Sequence, residues 1–293
     1  MASHMNGLHG PNRTLDPATL DVVRAGGFRS VKLMHINGCH HSTGEGRSLL
    51  DSGVTSLCLR LPDSRKADGT YYSYAEYADE CVLLILNWYH GLGCRLFQVD
   101  NEPNWQWMAE HYGPYEYQWF MKRAAQAIRH RVPPEVYLVG PPLSFASNMW
   151  NHDGQNPSPY TLDEWHAAYD FTDGGQEPNL WQAFDLAGAN SYFRSDQQIH
   201  DPSYGKSYHE VYQWAGMSRH VAVLEWGNTI GEGGQYTDHE LEMQRCHQYP
   251  TWLTEAQRLG VVDRAFVWLA PTPTVDWAPD SLSAGAAHCM AHL

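Results

Sequence analysis

The chain has 293 residues, and its 19 Lys and Arg residues against 33 Asp and Glu residues give a formal net charge of −14. This sign disfavours nucleic acid as a partner, because phosphate binding needs a basic surface that displaces counterions. Hydrophobic residues make up 43% and charged residues 18%, a balance that excludes a disordered chain. No apolar run approaches the ~20 residues of a membrane span, so no membrane partner is expected.

Eight strand-like runs occur along the chain, and helical patterns separate most of them. The runs lie near Gly7–His9, Ser30–Ile36, Val54–Leu61, Cys94–Asp100, Val136–Pro141, Leu186–Phe193, Val221–Glu225 and Ala265–Leu269. Eightfold alternation of strand and helix predicts parallel strands that close on themselves, an α/β fold of the (β/α)8 TIM barrel class. Residues 1–5 are interpreted as an expression scar. Residues 6–293 are predicted to form a single domain, since barrels of ~250 residues are single domains.

Helices are marked unevenly between these runs. The first begins at Asp16-Pro17, where a proline occupies the first helical position, and three more extend over Tyr74–Tyr89, Tyr115–His130 and Thr237–Leu259. The segment Cys39 to Asp51 is rich in Gly and His and is predicted to be mostly loop. The segment Ser144 to Asp185 is predicted to be a long loop that forms a wall or lid.

Two of the runs end in a carboxylate. Leu96–Val99 is followed by Asn101-Glu102-Pro103, and Pro103 is expected to end the strand and to hold Glu102 extended. The second run, HVAVLEWGN, carries Glu225 followed by an aromatic residue and a glycine. In a (β/α)8 barrel the carboxyl ends of the strands form the active site, so the two carboxylates are predicted to meet there.

These two motifs, Asn101-Glu102-Pro103 and Glu225-Trp226-Gly227, resemble the fourth-strand and seventh-strand signatures of clan A of the retaining glycoside hydrolases. The resemblance implies that Glu102 is the acid/base and Glu225 the nucleophile of a retaining β-glycosidase. An endo-acting enzyme on a polysaccharide or oligosaccharide, without a cofactor, is expected. Retention requires carboxyl groups about 5–5.5 Å apart, whereas ~6.5–9.5 Å would leave room for an inverting water. The sequence gives no distance, so retention is implied by the resemblance alone.

The resemblance also assigns supporting residues. Asn101 matches the asparagine that binds the sugar 2-hydroxyl. Tyr192 matches the tyrosine that donates to the nucleophile and keeps it ionised, and Asn190 stands where the clan has a histidine. Trp268 matches the tryptophan that forms the floor of the sugar subsite.

Further candidates follow from position. Arg60 and His35 lie near strand ends and are either polar contacts to substrate or partners of a nearby carboxylate. Asp100 stands where the clan has an apolar or aromatic residue. It is expected to bind substrate, to pair with Arg60, or to supply a like charge to Glu102. Trp105 and Trp107 are expected to stack on pyranose rings, and the alternative for each is loop packing.

The remaining signals exclude other site types. His40-His41 and His152-Asp153 lack the spacing of known metal motifs, so no metal is predicted. Six cysteines form no C-x-x-C pair, and most are expected to be buried and reduced.

The alternatives kept open are an inactive carbohydrate-binding barrel and a metal-dependent hydrolase. A secreted or extracytoplasmic protein that is a monomer or weak oligomer is expected.

Overall fold

The computed structural model describes residues 7–11, 15, 17–36, 39–104, 111–144, 159–172, 178–217, 219–228 and 238–267. The strands are β1 (Gly7–His9), β2 (Ser30–Ile36), β3 (Cys39–His40), β4 (Ser56–Arg60), β5 (Leu96–Gln98), β6 (Tyr137–Val139), β7 (Ala187–Phe193), β8 (Val221–Asn228) and β9 (Val262–Val267). The helices are α1 (Pro17–Ala25), α2 (Thr43–Asp51), α3 (Tyr74–Leu92), α4 (Pro114–Arg129), α5 (Leu162–Asp170), α6 (Asp196–Ile199), α7 (Ser207–Trp214) and α8 (Asp238–Leu259).

The sheet is a parallel barrel with the strand order β6-β5-β4-β2-β1-β9-β8-β7. Parallel bridges from Val139 to Leu186 and from Leu143 to Ala189 join its two ends. β3 lies outside this order and pairs antiparallel with β2. The fourth and seventh strands of the barrel are therefore β5 and β8, and the predicted (β/α)8 class is confirmed.

Close packing of backbones makes the closing seam possible. A Cβ on Gly188 would lie 2.1 Å from the carbonyl oxygen of Gly140, closer than any side chain tolerates. Only glycine therefore lets β7 approach the end of β6 so closely.

Two apolar layers hold the barrel together. The inner layer packs side chains from strands around the barrel against one another: Cys58, Leu96, Val139, Leu186, Ala222, Leu224 and Phe266. A larger layer lies between the strands and the helices. Parallel strands buried on both faces read as continuous apolar runs, which is why most of them could be found in the sequence.

Two predicted loops contain helices. α2 begins at Ser42, whose hydroxyl accepts from the Glu45 N–H, while the Glu45 side chain accepts from the Ser42 N–H. This capping box stabilises a Gly-containing segment that composition alone assigned to loop. The segment Ser144 to Asp185 likewise contains α5, which begins with a second capping box from Thr161 to Glu164. Both loop predictions were wrong over these residues.

The cysteine prediction is confirmed for Cys39, Cys58, Cys81 and Cys94, which are buried free thiols. Cys246 is disulfide-bonded. Within the described part of the chain, every helix is too short or too polar to cross a membrane.

Candidate active site

β8 directs Glu225 into the barrel, and its neighbour Trp226 points the other way. The Trp226 ring stacks on Trp252 of α8, with ring centroids 4.1 Å apart and planes inclined by 10°. The β8 register shifts between Val223 and Trp226, so Leu224 and Glu225 both face the barrel interior although they are consecutive in the chain. Only 3% of Glu225 is exposed.

Three basic side chains from other strands converge on one oxygen of this carboxylate. The distances to Glu225 Oε1 are 3.0 Å from Lys32 Nζ, 3.4 Å from His9 Nε2 and 3.9 Å from Arg60 Nη1. Burial alone would raise the pKa of Glu225, but Lys32, His9 and Arg60 outweigh it and the pKa lies well below its ordinary value. Glu225 is therefore an ionised carboxylate at neutral pH.

The second oxygen of Glu225 has a different partner. The hydroxyl of Tyr192, on β7, donates a hydrogen bond of 2.5 Å to Glu225 Oε2. A hydrogen bond donated to a carboxylate favours its charged form, so Tyr192 acts in the same direction as the cations.

Glu102 occupies a tight turn beyond the end of its strand. β5 ends at Gln98, and the backbone φ angles of Asp100 and Glu102 are +57° and +43°. The expectation that Pro103 would hold Glu102 extended was wrong. Left-handed backbone is costly for a non-glycine residue and persists where surrounding contacts fix it. Here the Glu102 N–H donates to the Pro142 carbonyl at 3.0 Å.

One strand contacts both carboxylates. Asn190 Nδ2 donates to Glu102 Oε1 at 2.7 Å, and Asn190 lies opposite Glu225 in the β7–β8 register. Tyr192, which holds Glu225, is two residues further along β7 and therefore on the same face. Glu102 and Glu225 thus contact two side chains on the same face of β7, Asn190 and Tyr192 respectively.

Asp100 lies elsewhere than the sequence indicated. Its side chain is fully buried, and its carboxylate accepts from the Tyr117 hydroxyl of α4 at 3.1 Å and from the Asn101 N–H at 2.8 Å. Burial, and after it the Asp63 carboxylate, raises the pKa of Asp100 to about 7. Asp100 therefore fixes the turn against α4. Arg60 donates instead to Asp63, at 2.7 Å, and its pairing with Asp100, one of the three alternatives, is an attraction between the two charges.

Of the remaining candidate residues, the structure describes Asn101 and His35. Asn101 is 6% exposed, and its Oδ1 accepts from Gln98 Nε2 at 2.9 Å, which orients the amide. His35 is half-buried near the end of β2, and its ring meets that of His40 on β3 with centroids 4.5 Å apart. Trp105, Trp107 and Trp268 lie outside the described residues.

Sequence reasoning missed Lys32 and His9. Both are fully buried, and both contact Glu225. A signal existed: Lys32 stands alone as a charge within the apolar run of β2, where a lysine is stable only when it is paired. Its partner, however, is 193 residues away in the chain. Among the described residues no group of three or more His, Cys, Asp or Glu side chains is arranged to hold a metal ion.

No protein-family model matches the sequence. A comparison with curated proteins also finds no match. Solved structures do resemble the fold. A glucosidase from Croceicoccus marinus has a TM-score of 0.62 at 14% identity, covering 97% of this chain and 62% of its own. A GH30 endoxylanase from Clostridium papyrosolvens has a TM-score of 0.58 at 14% identity, covering 98% of this chain and 71% of its own.

A third structure matches this chain in length. A GH128 endo-β-1,3-glucanase from Amycolatopsis mediterranei has a TM-score of 0.51 at 11% identity, covering 96% of this chain and 98% of its own. The chain spans less than two thirds of the glucosidase, so its length agrees with some of these proteins and not with others. At these identities the likeness concerns the fold. The chain has the (β/α)8 barrel fold found in clan A glycoside hydrolases.

Proposed function

We propose that this protein is a retaining β-glycoside hydrolase that cuts within a polysaccharide or oligosaccharide. The observation that carries the proposal is the pair of contacts from β7, Asn190 to Glu102 and Tyr192 to Glu225. These contacts support the proposal because both carboxyl groups, one of them held ionised, bind side chains on the same face of one strand. The structural neighbours, which are glycoside hydrolases, support the reaction class.

In the first step, Glu225 attacks the anomeric carbon while Glu102 gives its proton to the leaving glycosidic oxygen. The bond to that oxygen breaks, and a glycosyl-enzyme forms on Glu225. Glu102, now a carboxylate, removes a proton from water, and the water oxygen displaces Glu225 from the sugar. Both carboxyl groups return to their starting states, and the anomeric configuration is retained.

The surrounding side chains have separate tasks in this scheme. Lys32, Arg60 and Tyr192 keep Glu225 ionised for attack. Asn190 donates to Glu102 Oε1, which favours the acid proton on Oε2. Asn101 is proposed to bind the sugar 2-hydroxyl, and Trp268, Trp105 and Trp107 are proposed to stack on sugar rings. His35 stays a proposed polar contact.

Replacing the nucleophile tests the proposal. Glu225→Ala should abolish turnover of aryl β-glycosides, because no glycosyl-enzyme can form, and azide should restore turnover by yielding an α-glycosyl azide. Product configuration is read by NMR. Glu135→Ala, which removes an exposed carboxylate just before β6 at the opposite end of the barrel, serves as the control and should keep the wild-type rate. Wild-type rates in Glu225→Ala would remove the assignment. Wild-type inactivity on every glycoside, with binding retained, would favour a carbohydrate-binding barrel instead.

A further inference from the structure

An aromatic cleft lies on the outer rim of the barrel, and the proposed reaction does not use it. The cleft has a volume of about 690 Å³ and lies between the first turns of α3 and α4. Tyr72, Tyr74, Tyr115 and Trp119 form most of its walls, and Ser73 and Glu116 add polar groups. Its volume is within the range of sites that bind small organic molecules.

The exposed aromatic surface of the described residues is concentrated here. Tyr74 is 38% exposed, and Tyr115 and Trp119 are each 52% exposed. Phe171, which is 46% exposed, packs its ring against that of Tyr115 with centroids 5.5 Å apart. Scattered apolar side chains on a surface are ordinary, but a group of large aromatic rings around one cleft marks a binding site.

The chemistry of the lining fits a sugar. The rings of Tyr74 and Trp119 are 5.7 Å apart and perpendicular, at 89°, so they form two walls of a corner. The Ser73 hydroxyl and the Glu116 carboxylate belong to the lining, and Arg123, outside the lining, lies over the Trp119 ring at 5.8 Å from its centroid. Aromatic faces stack on the C–H faces of a pyranose, while charged groups bind its hydroxyls. A polyanion is disfavoured by Glu116 and by the net charge of −14.

The cleft opens at the same end of the barrel as the carboxylate pair. Tyr72 belongs to the loop after β4, and Tyr115 lies in the first turn of α4, the helix that follows the Glu102 turn. Tyr117, two residues beyond Tyr115, donates to Asp100, which is two residues before Glu102. A polymer bound across the barrel end can therefore reach both the carboxylates and the cleft.

We propose that this cleft is a second glycan-binding site, in which Trp119 and Tyr74 stack on pyranose rings of the polysaccharide away from the bond that is cut. The inference rests on the proposed function, because it takes the polymer that the enzyme cuts as its ligand. It gives residues outside the barrel mouth a separate task, which is to hold a long polysaccharide on the enzyme.

Native gel electrophoresis of the full chain tests the proposal in gels containing soluble xylan, β-1,3-glucan, β-mannan or hydroxyethyl cellulose, and in gels without polymer. At least one polymer should retard the wild-type protein. Trp119→Ala and Tyr74→Ala should each weaken that binding about tenfold, the loss expected for one stacking interaction of about 1.4 kcal/mol. Circular dichroism and thermal unfolding establish that the variants remain folded.

Tyr137→Ala is the matched control. Tyr137 is 51% exposed and begins β6, so it lies at the opposite end of the barrel and its removal should leave retardation unchanged. Equal retardation of wild type and Trp119→Ala would overturn the cleft assignment, as would the absence of retardation by every polymer. A dimer that Trp119→Ala dissociates, measured by sedimentation, would also overturn it, because a second copy would then cover the cleft.

The same preparations separate this proposal from the catalytic one. If the protein hydrolyses aryl glycosides but no polymer retards it, the assignment of the cleft as a glycan-binding site is wrong and the catalytic assignment stands. If a polymer retards the wild type more than Trp119→Ala, but the wild type hydrolyses no glycoside, the cleft is supported as a glycan-binding site and the catalytic assignment is wrong.

Discussion

Lys32 contributes the nearest of the cations that surround Glu225. Its Nζ lies 3.0 Å from the carboxylate and 3.2 Å from the Leu224 carbonyl oxygen, and the side chain has no exposure to water. Burial lowers the pKa of Lys32, while the negative charge of Glu225 opposes that effect. A buried lysine is stable here because it has both an opposite charge and an acceptor.

Removing this cation should therefore raise the pKa of Glu225. We predict that Lys32→Met shifts the acid limb of the pH profile of kcat/KM to higher pH and lowers its maximum. Tyr192→Phe, which removes one hydrogen bond but no charge, should shift the limb in the same direction by less. An acid limb in Lys32→Met at the wild-type position would contradict the role of Lys32. Thermal unfolding of both variants controls for misfolding.

Glu102 is tested through the leaving group of the substrate. Glu102→Ala should slow glycosides with poor leaving groups by ~10²–10⁴-fold, the range of general acid catalysis, and dinitrophenyl glycosides far less. The physical reason is that an acidic phenol leaves without a proton donor. Glu164→Ala, which removes a carboxylate at the start of α5, is the control. Equal losses on both substrates would show that Glu102 is not the acid.

At the scale of elements, α2 forms a helix because of its capping box, although the Gly-rich composition of the segment predicts a loop. The Glu45 side chain closes the capping box with Ser42 and also accepts from the Leu15 N–H at 2.7 Å. The same side chain therefore starts the helix and attaches the segment before α1 to it. α3 begins with the corresponding pair Ser73 and Glu76, and Glu76 makes no such backbone contact outside its helix terminus in the described structure.

The comparison of these two caps gives a quantitative prediction. Ser42→Ala should cost about 1 kcal/mol of unfolding free energy, and Ser73→Ala a similar amount. Glu45→Ala should cost more than Glu76→Ala, because it also leaves the Leu15 N–H without its acceptor. Urea denaturation measures all four variants. Equal costs for the two Glu variants would mean that the contact to Leu15 contributes no more than the surface ion pair of Glu76 with Lys66, whose Nζ is 3.6 Å from Glu76 Oε1.

At the scale of the whole molecule, buried ionisable groups inside the barrel make stability depend on pH. Burial, together with Lys32, lowers the pKa of His9 from 6.5 to about 4. In the unfolded chain His9 is therefore protonated as the pH falls below 6.5, whereas in the folded chain it is protonated only near pH 4. The contribution of His9 to the free energy of unfolding is therefore complete above pH 6.5 and is lost as the pH falls towards 4.

This linkage is measurable. Between pH 7 and pH 4 the His9 contribution to the unfolding free energy should fall by about 3 kcal/mol, and His9→Gln should lack that part of the loss. Carboxylates titrate in the same range, so the informative quantity is the difference between the wild type and His9→Gln in urea denaturation. Parallel curves would contradict the prediction. A single transition in these curves would also support the proposal that residues 6–293 form one domain.

The sequence by itself determined the barrel and its two carboxylates. Strands buried on both faces are continuous apolar runs, and Glu102 and Glu225 follow such runs within short motifs, so local patterns were sufficient. Only the tertiary structure decided what surrounds them. Lys32 meets Glu225 across 193 residues of chain, and Asp100 turns towards Tyr117 because its backbone is left-handed. Contacts between distant strands, and a backbone turn that Pro103 disfavours, have no local pattern from which they could be predicted.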